Sequence, residues 1–308
     1  MGRIAITGAN GFVGRHLVRG AVCAGWSAVG IVRSDAAAEQ VVRDGGRPVV
    51  NRGRDPDALA VALEGCDALV HLAQIGAERS GDTYRGVNIG STERVLRAAD
   101  GAGVSTIAYF SGLGVARCGI SRRSTNAYFL SKLAAETILM RSGLDCVIFR
   151  PSFVVGPGDA FVRTAVPALE TGDFERPGDG SYRMQPIAVA DAVALVLAAV
   201  SRPAAAFPFV FDLVGPEAVS YAQLLERLVS VARTCGRRLE LHVRETAIEE
   251  ADRRAREGGY QGLLPDELDC LLCDEVSDPA PLVRLLGRPL VPLDEALAAA
   301  VRAAPGAV

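Results

Sequence analysis

Apolar residues follow two alternating rhythms along the first half of the chain. Short runs rich in Val, Ile, Leu and Ala occupy residues 3–7, 28–33, 47–51, 68–72, 106–111 and 145–150. Between them, apolar positions fall at helical spacing over 12–24, 36–44, 57–63, 91–102 and 128–142. Strands that are apolar throughout suit a sheet covered on both faces, and strands alternating with helices suit parallel order. The pattern predicts a doubly wound parallel α/β sheet over residues 1–151. After Arg150-Pro151 the rhythm breaks, with turn signals at Gly156-Pro157-Gly158-Asp159 and Pro177-Gly178-Asp179-Gly180. Helical spacing returns at 191–200, 221–234 and 294–302, and short strands are expected at 209–213 and 238–242. Residues 152–308 therefore read as a smaller mixed lobe interwoven with the first domain. The basic run Arg253-Arg254-Ala255-Arg256 reads as a solvated helix face.

Composition narrows the function classes. The chain has 308 residues, 49% hydrophobic and 22% charged, with a formal net charge of −3. That balance gives no electrostatic reason to expect nucleic acid or an anionic membrane as partner. No apolar run approaches the roughly 18 residues that cross a bilayer, and Met1 leads directly into a strand pattern, so the expected compartment is the cytoplasm. Of the Cys residues, only Cys270 and Cys273 stand at ligand-like spacing, with no second pair. Free thiols in a reducing compartment are the expectation, and no metal site.

Candidate chemistry begins at the first strand–helix junction, Thr7-Gly8-Ala9-Asn10-Gly11-Phe12-Val13-Gly14. Gly8 permits a tight turn, Gly11 lets backbone approach a pyrophosphate, and Gly14 allows close helix–strand packing. The diphosphate then sits on a helix N-terminus, where unpaired N–H groups favour anions. The second strand closes with Val32 where an NAD-selective domain carries an acid, and Arg33-Ser34 follow. A guanidinium and a hydroxyl there suit a 2′-phosphate, so NADP(H) is expected over NAD(H).

The second candidate is Tyr128-Phe129-Leu130-Ser131-Lys132. At i and i+4 on a helix the phenol and the ammonium share a face, and a nearby cation eases proton exchange at the phenol. Of the 33 basic residues, Lys132 alone is Lys and the rest are Arg. Chemistry needing a compact ammonium does not accept a forked guanidinium, so the position stands out.

With these marks in view, the sequence resembles the short-chain dehydrogenase/reductase superfamily, in its extended and atypical branch that includes epimerases and dehydratases. The shared marks are the glycine turn Gly8–Gly14, Val70-His71-Leu72-Ala73, Val87-Asn88-Ile89-Gly90-Ser91-Thr92 and Tyr128 with Lys132. Others are Phe149-Arg150-Pro151-Ser152, Gly156–Asp159 and Pro186–Asp191. The segment from Leu264 to Gly287 is similar to the branch holding the NAD(P)-binding accessory subunit of respiratory complex I. The resemblance implies a Rossmann domain with a small C-terminal substrate lobe. It makes Tyr128 the acid/base, with Lys132 binding the nicotinamide ribose and lowering the phenol pKa. It also places Asn10, Phe12, Val13, Leu72, Ala73, Pro151, Ser152 and Phe153 along the cofactor.

Two departures accompany the resemblance. The third catalytic hydroxyl of the family falls on Gly112, with Ser111 beside it. Ser111 serves only if the chain bends there, and Ser124 or Thr125 are the other candidate hydroxyls. The adenine-contacting Asp position holds Arg52, after Asn51. In the lobe, Arg163, Arg176 and Arg183 are candidate substrate anchors, and Phe153, Phe161, Tyr182 and Met184 suggest an aromatic and aliphatic pocket. The sequence favours an NADP(H)-dependent oxidoreductase acting on a carbonyl or alcohol of a small molecule. The alternatives are a nucleotide-sugar epimerase or dehydratase with retained cofactor, and a non-catalytic dinucleotide-binding subunit. A homodimer through helices 91–102 and 128–142 is the expected assembly.

Overall fold

A computed structural model describes residues 2–52, 55–117, 125–202 and 209–304. Its central sheet has seven strands. Six come from the N-terminal half: β1 (Arg3–Thr7), β2 (Ser27–Val32), β3 (Arg47–Val50), β4 (Ala68–His71), β5 (Thr106–Phe110) and β6 (Asp145–Pro151). They pair in parallel in the order β3-β2-β1-β4-β5-β6, and the strand Val210–Leu213 lies beside β6. Strand order reverses between β1 and β4, the kind of point at which doubly wound sheets bind ligands at their carboxyl edge. Five helices connect the strands: α1 (Phe12–Cys23), α2 (Asp35–Arg43), α3 (Pro56–Leu63), α4 (Gly90–Gly101) and α5 (Ala127–Met140).

The chain divides into two compact units that interleave in sequence. The first takes Met1–Val115, Ala127–Arg150 and Val193–Phe211; the second takes Ala116–Asn126, Pro151–Ala192 and Asp212–Val308. In the first unit the strands are apolar because both faces are covered. Ile4, Ala5, Ile6, Leu69, Val70 and Ile107 are all fully buried. Asp44 closes α2 and accepts from both Arg15 and Arg19 of α1, tying the first two helices together. In α5, Glu136 has no solvent exposure and receives Arg150 of β6 through two parallel N–H···O bonds. A buried carboxylate needs such a fork to offset its desolvation, and the pair fixes the helix on the sheet.

The second unit is built on helices Ala160–Thr171, Tyr221–Thr234 and Leu293–Ala303, whose Leu and Val side chains form one buried cluster. Asp159 caps the first of these, accepting from the Val162 and Gly156 N–H groups. Asp191, fully buried, accepts from the Val291 N–H at 2.6 Å and pairs with Arg288 at 2.7 Å. The strand expected at 238–242 does not form; Val243–Thr246 takes that place, parallel to Phe174–Pro177. Its register sets Arg244 beside Glu175 and Glu245 beside Arg176, and both neighbours are ion-paired. Opposite charges on paired strands favour that register over one that uses the more apolar run before it. The basic run lies on helix Ile248–Glu257, where Arg253 pairs with Glu250 and Glu257, and Arg256 with Asp252.

The β1–α1 turn shows how closely strand and helix approach. Gly8 adopts φ +68°, and a Cβ on Gly14 would lie 2.2 Å from the Gly8 carbonyl oxygen. Gly14→Ala is therefore expected to cost about 1–3 kcal/mol, because helix and strand must separate. Gly101→Ala has nothing within 4 Å and is expected to stabilise by about 0.4–1 kcal/mol through the unfolded chain. Urea unfolding of both variants checks the opposite signs.

Candidate functional site

A cleft of about 310 Å³ opens in the first unit at the carboxyl edge of β1 and β4, lined at one end by Gly8, Asn10 and Gly11. Here α1 begins without a side-chain cap and without an acidic residue in its first turn. The first intrahelical bond runs from the Arg15 N–H to Gly11 O. The N–H groups of Phe12, Val13 and Gly14 are left over by helix geometry, which makes an anion cradle. A Cβ on Gly11 or Gly14 would fill the turn, at 3.2 Å and 2.2 Å from Gly8 O. The turn thus fits a dinucleotide's diphosphate. Leu72 and Ala73 form the facing wall, so close that a Gly8 Cβ would meet both at 3.0 Å.

The floor of the cleft is a row of side chains across three strands. Thr7, His71 and Tyr109 are register partners. Thr7 Oγ1 accepts from the Ala73 N–H at 3.3 Å and lies 2.6 Å from His71 Nδ1. Ser91 donates its hydroxyl proton to Val87 O, and its Oγ lies 3.4 Å from His71 Nε2. With both neighbours' roles fixed, Thr7 donates to Nδ1 and Nε2 keeps the imidazole's proton. Burial first, then the charges of Lys132 and Arg94, pull the His71 pKa down to about 3. The ring is neutral and stacks on Tyr109 at 5.7 Å.

Lys132 projects from α5 above this row and is 1% exposed. Its Nζ sits 4.3 Å from the Tyr109 ring centroid and donates to Gln74 Oε1 and Phe110 O, each at 2.5 Å. Burial lowers its pKa to about 7, while the Glu136 carboxylate works in the opposite direction. Asn88 holds the surrounding backbone. Its Oδ1 accepts from the Ile75 N–H, and its Nδ2 donates to Ile75 O and to Ser131 Oγ on α5. It stands in a π-helical turn, Arg85–Ile89, immediately before α4. The extra residue in such a turn re-aims side chains, a device common at functional sites.

Tyr128 lies one helical turn from Lys132 and is partly exposed, with its ring 6.2 Å from that of Tyr84. A Cβ at Gly112 would lie 3.3 Å from Phe129 Cε1 and 3.7 Å from Tyr128 Cε1. Ser111 is 1% exposed, and its Oγ finds no hydrogen-bond partner among the described residues. Its N–H still bonds Phe149 O at 2.7 Å, so strand pairing continues through Ser111. Ser124 lies outside the described residues, and Thr125 falls in the second unit.

Farther along the cleft stand Arg33 and Arg52, each beside a carboxylate at 3.3 Å: Asp82 for Arg33 and Asp35 for Arg52. Ser34 caps α2 by accepting from the Ala37 N–H, which leaves its own proton free to donate. Asn51 donates to Asp55 O, and Asp55 in turn caps α3. Val32, at the end of β2, is 2% exposed.

The remaining expected residues belong to the second unit. Ser152 accepts from the Gln185 N–H and donates to Glu275 O. Phe153, after Pro151, meets Phe161 edge-on at 5.8 Å, and Phe161, Tyr221 and Tyr182 continue the aromatic contact. Phe153, Phe161 and Tyr182 are partly buried and pack against that unit's core, and Met184 is 3% exposed. Arg176 is held by Gly178 O and Glu245, whereas Arg163 and Arg183 are exposed. Gln74 had no sequence signal, because its relation to Lys132 exists only in three dimensions. His71 and Asn88 were visible within motifs but carried no assigned role.

A family model described as NAD(P)H-binding matches residues 8–199. The chain is 29% identical over 240 residues to 4-hydroxy-2-methyl-3-oxo-4-farnesyl-3,4-dihydroquinoline-1-oxide ketoreductase of Stigmatella aurantiaca, covering 72% of each. It is 23% identical to NADH dehydrogenase [ubiquinone] 1 alpha subcomplex subunit 9 of Arabidopsis thaliana, over 77% of this chain and 59% of that one. In fold it is similar to UDP-glucuronic acid 4-epimerase from Bacillus cereus, solved with UDP-glucuronic acid and NAD. The TM-score is 0.71 at 19% identity, with 98% of both chains covered. Among the described residues no helix is long and apolar enough to cross a membrane.

The neutral His71 predicts acid sensitivity. Its folded pKa of about 3 lies below the ordinary imidazole value of 6.5, so between those values the unfolded chain binds the extra proton and stability falls as pH falls. Between pH 6 and pH 5 the loss is expected at about 1.4 kcal/mol per pH unit. Urea unfolding at both pH values should show a correspondingly smaller loss in His71→Gln.

Proposed function

The chain belongs to the NAD(P)H-binding family, and from that membership we propose that it is an NADP(H)-preferring oxidoreductase of the short-chain dehydrogenase/reductase type. Its substrate would be a carbonyl or alcohol carbon of a small molecule. The observation that carries this reading is the chain's only Lys, buried beside the cleft one turn from Tyr128. Burial of an ammonium is costly and survives where the charge has a use. The ketoreductase likeness, over 72% of both chains, points the same way.

The bound nicotinamide would supply the hydride. The chain's own residues do the rest. The Gly8–Gly14 turn and the N-terminus of α1 bind the diphosphate. Lys132 keeps a positive charge near Tyr128, which lowers the cost of forming phenolate. Tyr128 passes a proton to or from the substrate oxygen. Arg33, with the Ser34 hydroxyl, takes the 2′-phosphate, and Arg33 exchanges its weak, solvent-exposed pairing with Asp82 for a charge-assisted contact. Gly112 stands at the family's serine position, and Ser111 beside it, buried and with no hydrogen-bond partner at Oγ among the described residues, is the third hydroxyl of this reading.

Gly112 and the likeness to the complex I subunit favour a second reading, a dinucleotide-binding subunit without turnover. A panel of ketones and aldehydes monitored by loss of NADPH absorbance separates the two. Steady oxidation of NADPH supports the enzyme, and none with any carbonyl supports the subunit.

Tyr128→Phe is expected to leave NADPH affinity nearly intact and to slow single-turnover reduction by ~10²–10⁴. Lys132→Arg is expected to fail as well, because a planar fork cannot replace a compact ammonium in this enclosed position. Wild-type rates for Lys132→Arg would remove the main support for the reading. Arg33→Asp should weaken NADPH by roughly ten- to a hundredfold while changing NADH far less. Equal affinity of the unaltered protein for NADPH and NADH, measured by calorimetry, would overturn the preference.

A further inference from the structure

We propose that Gln74 is a positioning residue for Lys132, its side-chain carbonyl holding the ammonium beside the cleft and favouring the charged form. Lys132 has three N–H donors and needs acceptors wherever it is shielded from water. Phe110 O is one and Gln74 Oε1 the other, each at 2.5 Å, with the Tyr109 ring face beneath. The charged ammonium has nothing to accept with, so toward that form the Gln74 amide must present its oxygen. Gln74 itself is exposed and lines the cleft. It is thus a surface amide turned inward onto a buried cation. Phe110 O is a main-chain group that a side-chain substitution does not remove, which leaves Gln74 as the adjustable partner.

The other groups facing Lys132 do not duplicate this role. Tyr128 and Glu136 stand on α5, Tyr109 on β5 and His71 on β4. Both Glu136 oxygens are taken by Arg150. Tyr109 is held neutral by burial, its pKa raised well above the ordinary value, and it offers only a ring face. His71 is neutral, with both nitrogens engaged by Thr7 and Ser91. A neutral amide oxygen stabilises the ammonium without cancelling its charge, as a carboxylate would. The Lys132 field therefore remains available to Tyr128 and to a ligand in the cleft.

The test uses the chain's single lysine. Protein made with lysine labelled at Cε with ¹³C gives one side-chain signal, and its shift against pH reads the Lys132 pKa without substrate or turnover. Gln74→Leu removes a partner of the charged form and should lower that pKa by about one to two units. Gln74→Glu, close to the native size, should raise it. A Lys132 titration unchanged in both folded variants, or in Gln74→Glu alone if Gln74→Leu does not fold, overturns the proposal.

A second measurement rests on the oxidoreductase reading. If charged Lys132 serves turnover, activity falls as pH rises through its pKa, and the alkaline limb in Gln74→Leu should move down in step with the NMR value. A limb that stays in place while the NMR pKa moves removes the link to catalysis and leaves Gln74 as a holder of Lys132 only. A moved NMR pKa in a protein that turns over no carbonyl keeps the positioning role and removes the enzyme reading.

Discussion

A buried ammonium is the constraint around which the carboxyl edge of the sheet is organised. Lys132 is 1% exposed, and a charge so placed must find acceptors or lose its proton. The fold answers from three directions: a main-chain carbonyl from the end of β5, a side-chain amide from the loop after β4, and a ring face from Tyr109. Each requires its element to end in a particular place. The β5 strand must stop with Phe110 O turned to α5, and α5 must be anchored so that its second turn does not shift the cation. The Glu136–Arg150 fork provides that anchor. Asn88 closes the arrangement by tying the loop after β4 to Ser131 on the same helix.

The opposite end of the cleft follows a different logic, with fixed partial charges in place of a buried ion. The start of α1 offers backbone N–H groups that no side chain caps. The glycines there are matters of distance: the Gly14 position and the Gly8 carbonyl approach too closely for any Cβ. Between the two ends, neutral His71 joins β1 to α4 through Thr7 and Ser91 without placing a charge beside the ammonium. Strand order reverses at this point, so the chain leaves β1 and β4 in opposite directions and opens the crevice.

Much of this was legible in the sequence because it is local. Apolar runs marked all six N-terminal strands to within a residue or so, and the glycine turn and the Tyr128–Lys132 spacing were visible without coordinates. Contacts between distant segments were not. Gln74 meets Lys132 across a long stretch of chain, and nothing in its neighbourhood distinguishes it from any polar loop residue. The aromatic residues of the second unit illustrate a composition that suits either pocket or core; in the fold Tyr182 stacks on Tyr221. The misplaced strand at 238–242 was decided by charge pairing across strands, which a one-strand pattern cannot register.

The segment from Gln74 to Tyr84 makes three separate contacts. Gln74 grips Lys132, Asp82 faces Arg33, and the Tyr84 ring leans toward Tyr128. Its interior is braced by the Tyr84 N–H on Glu78, the Tyr84 hydroxyl on Gly76 O and the paired backbones of Arg79 and Asp82. One short, cross-braced span thus supplies both the carboxylate beside Arg33 and the amide beside Lys132.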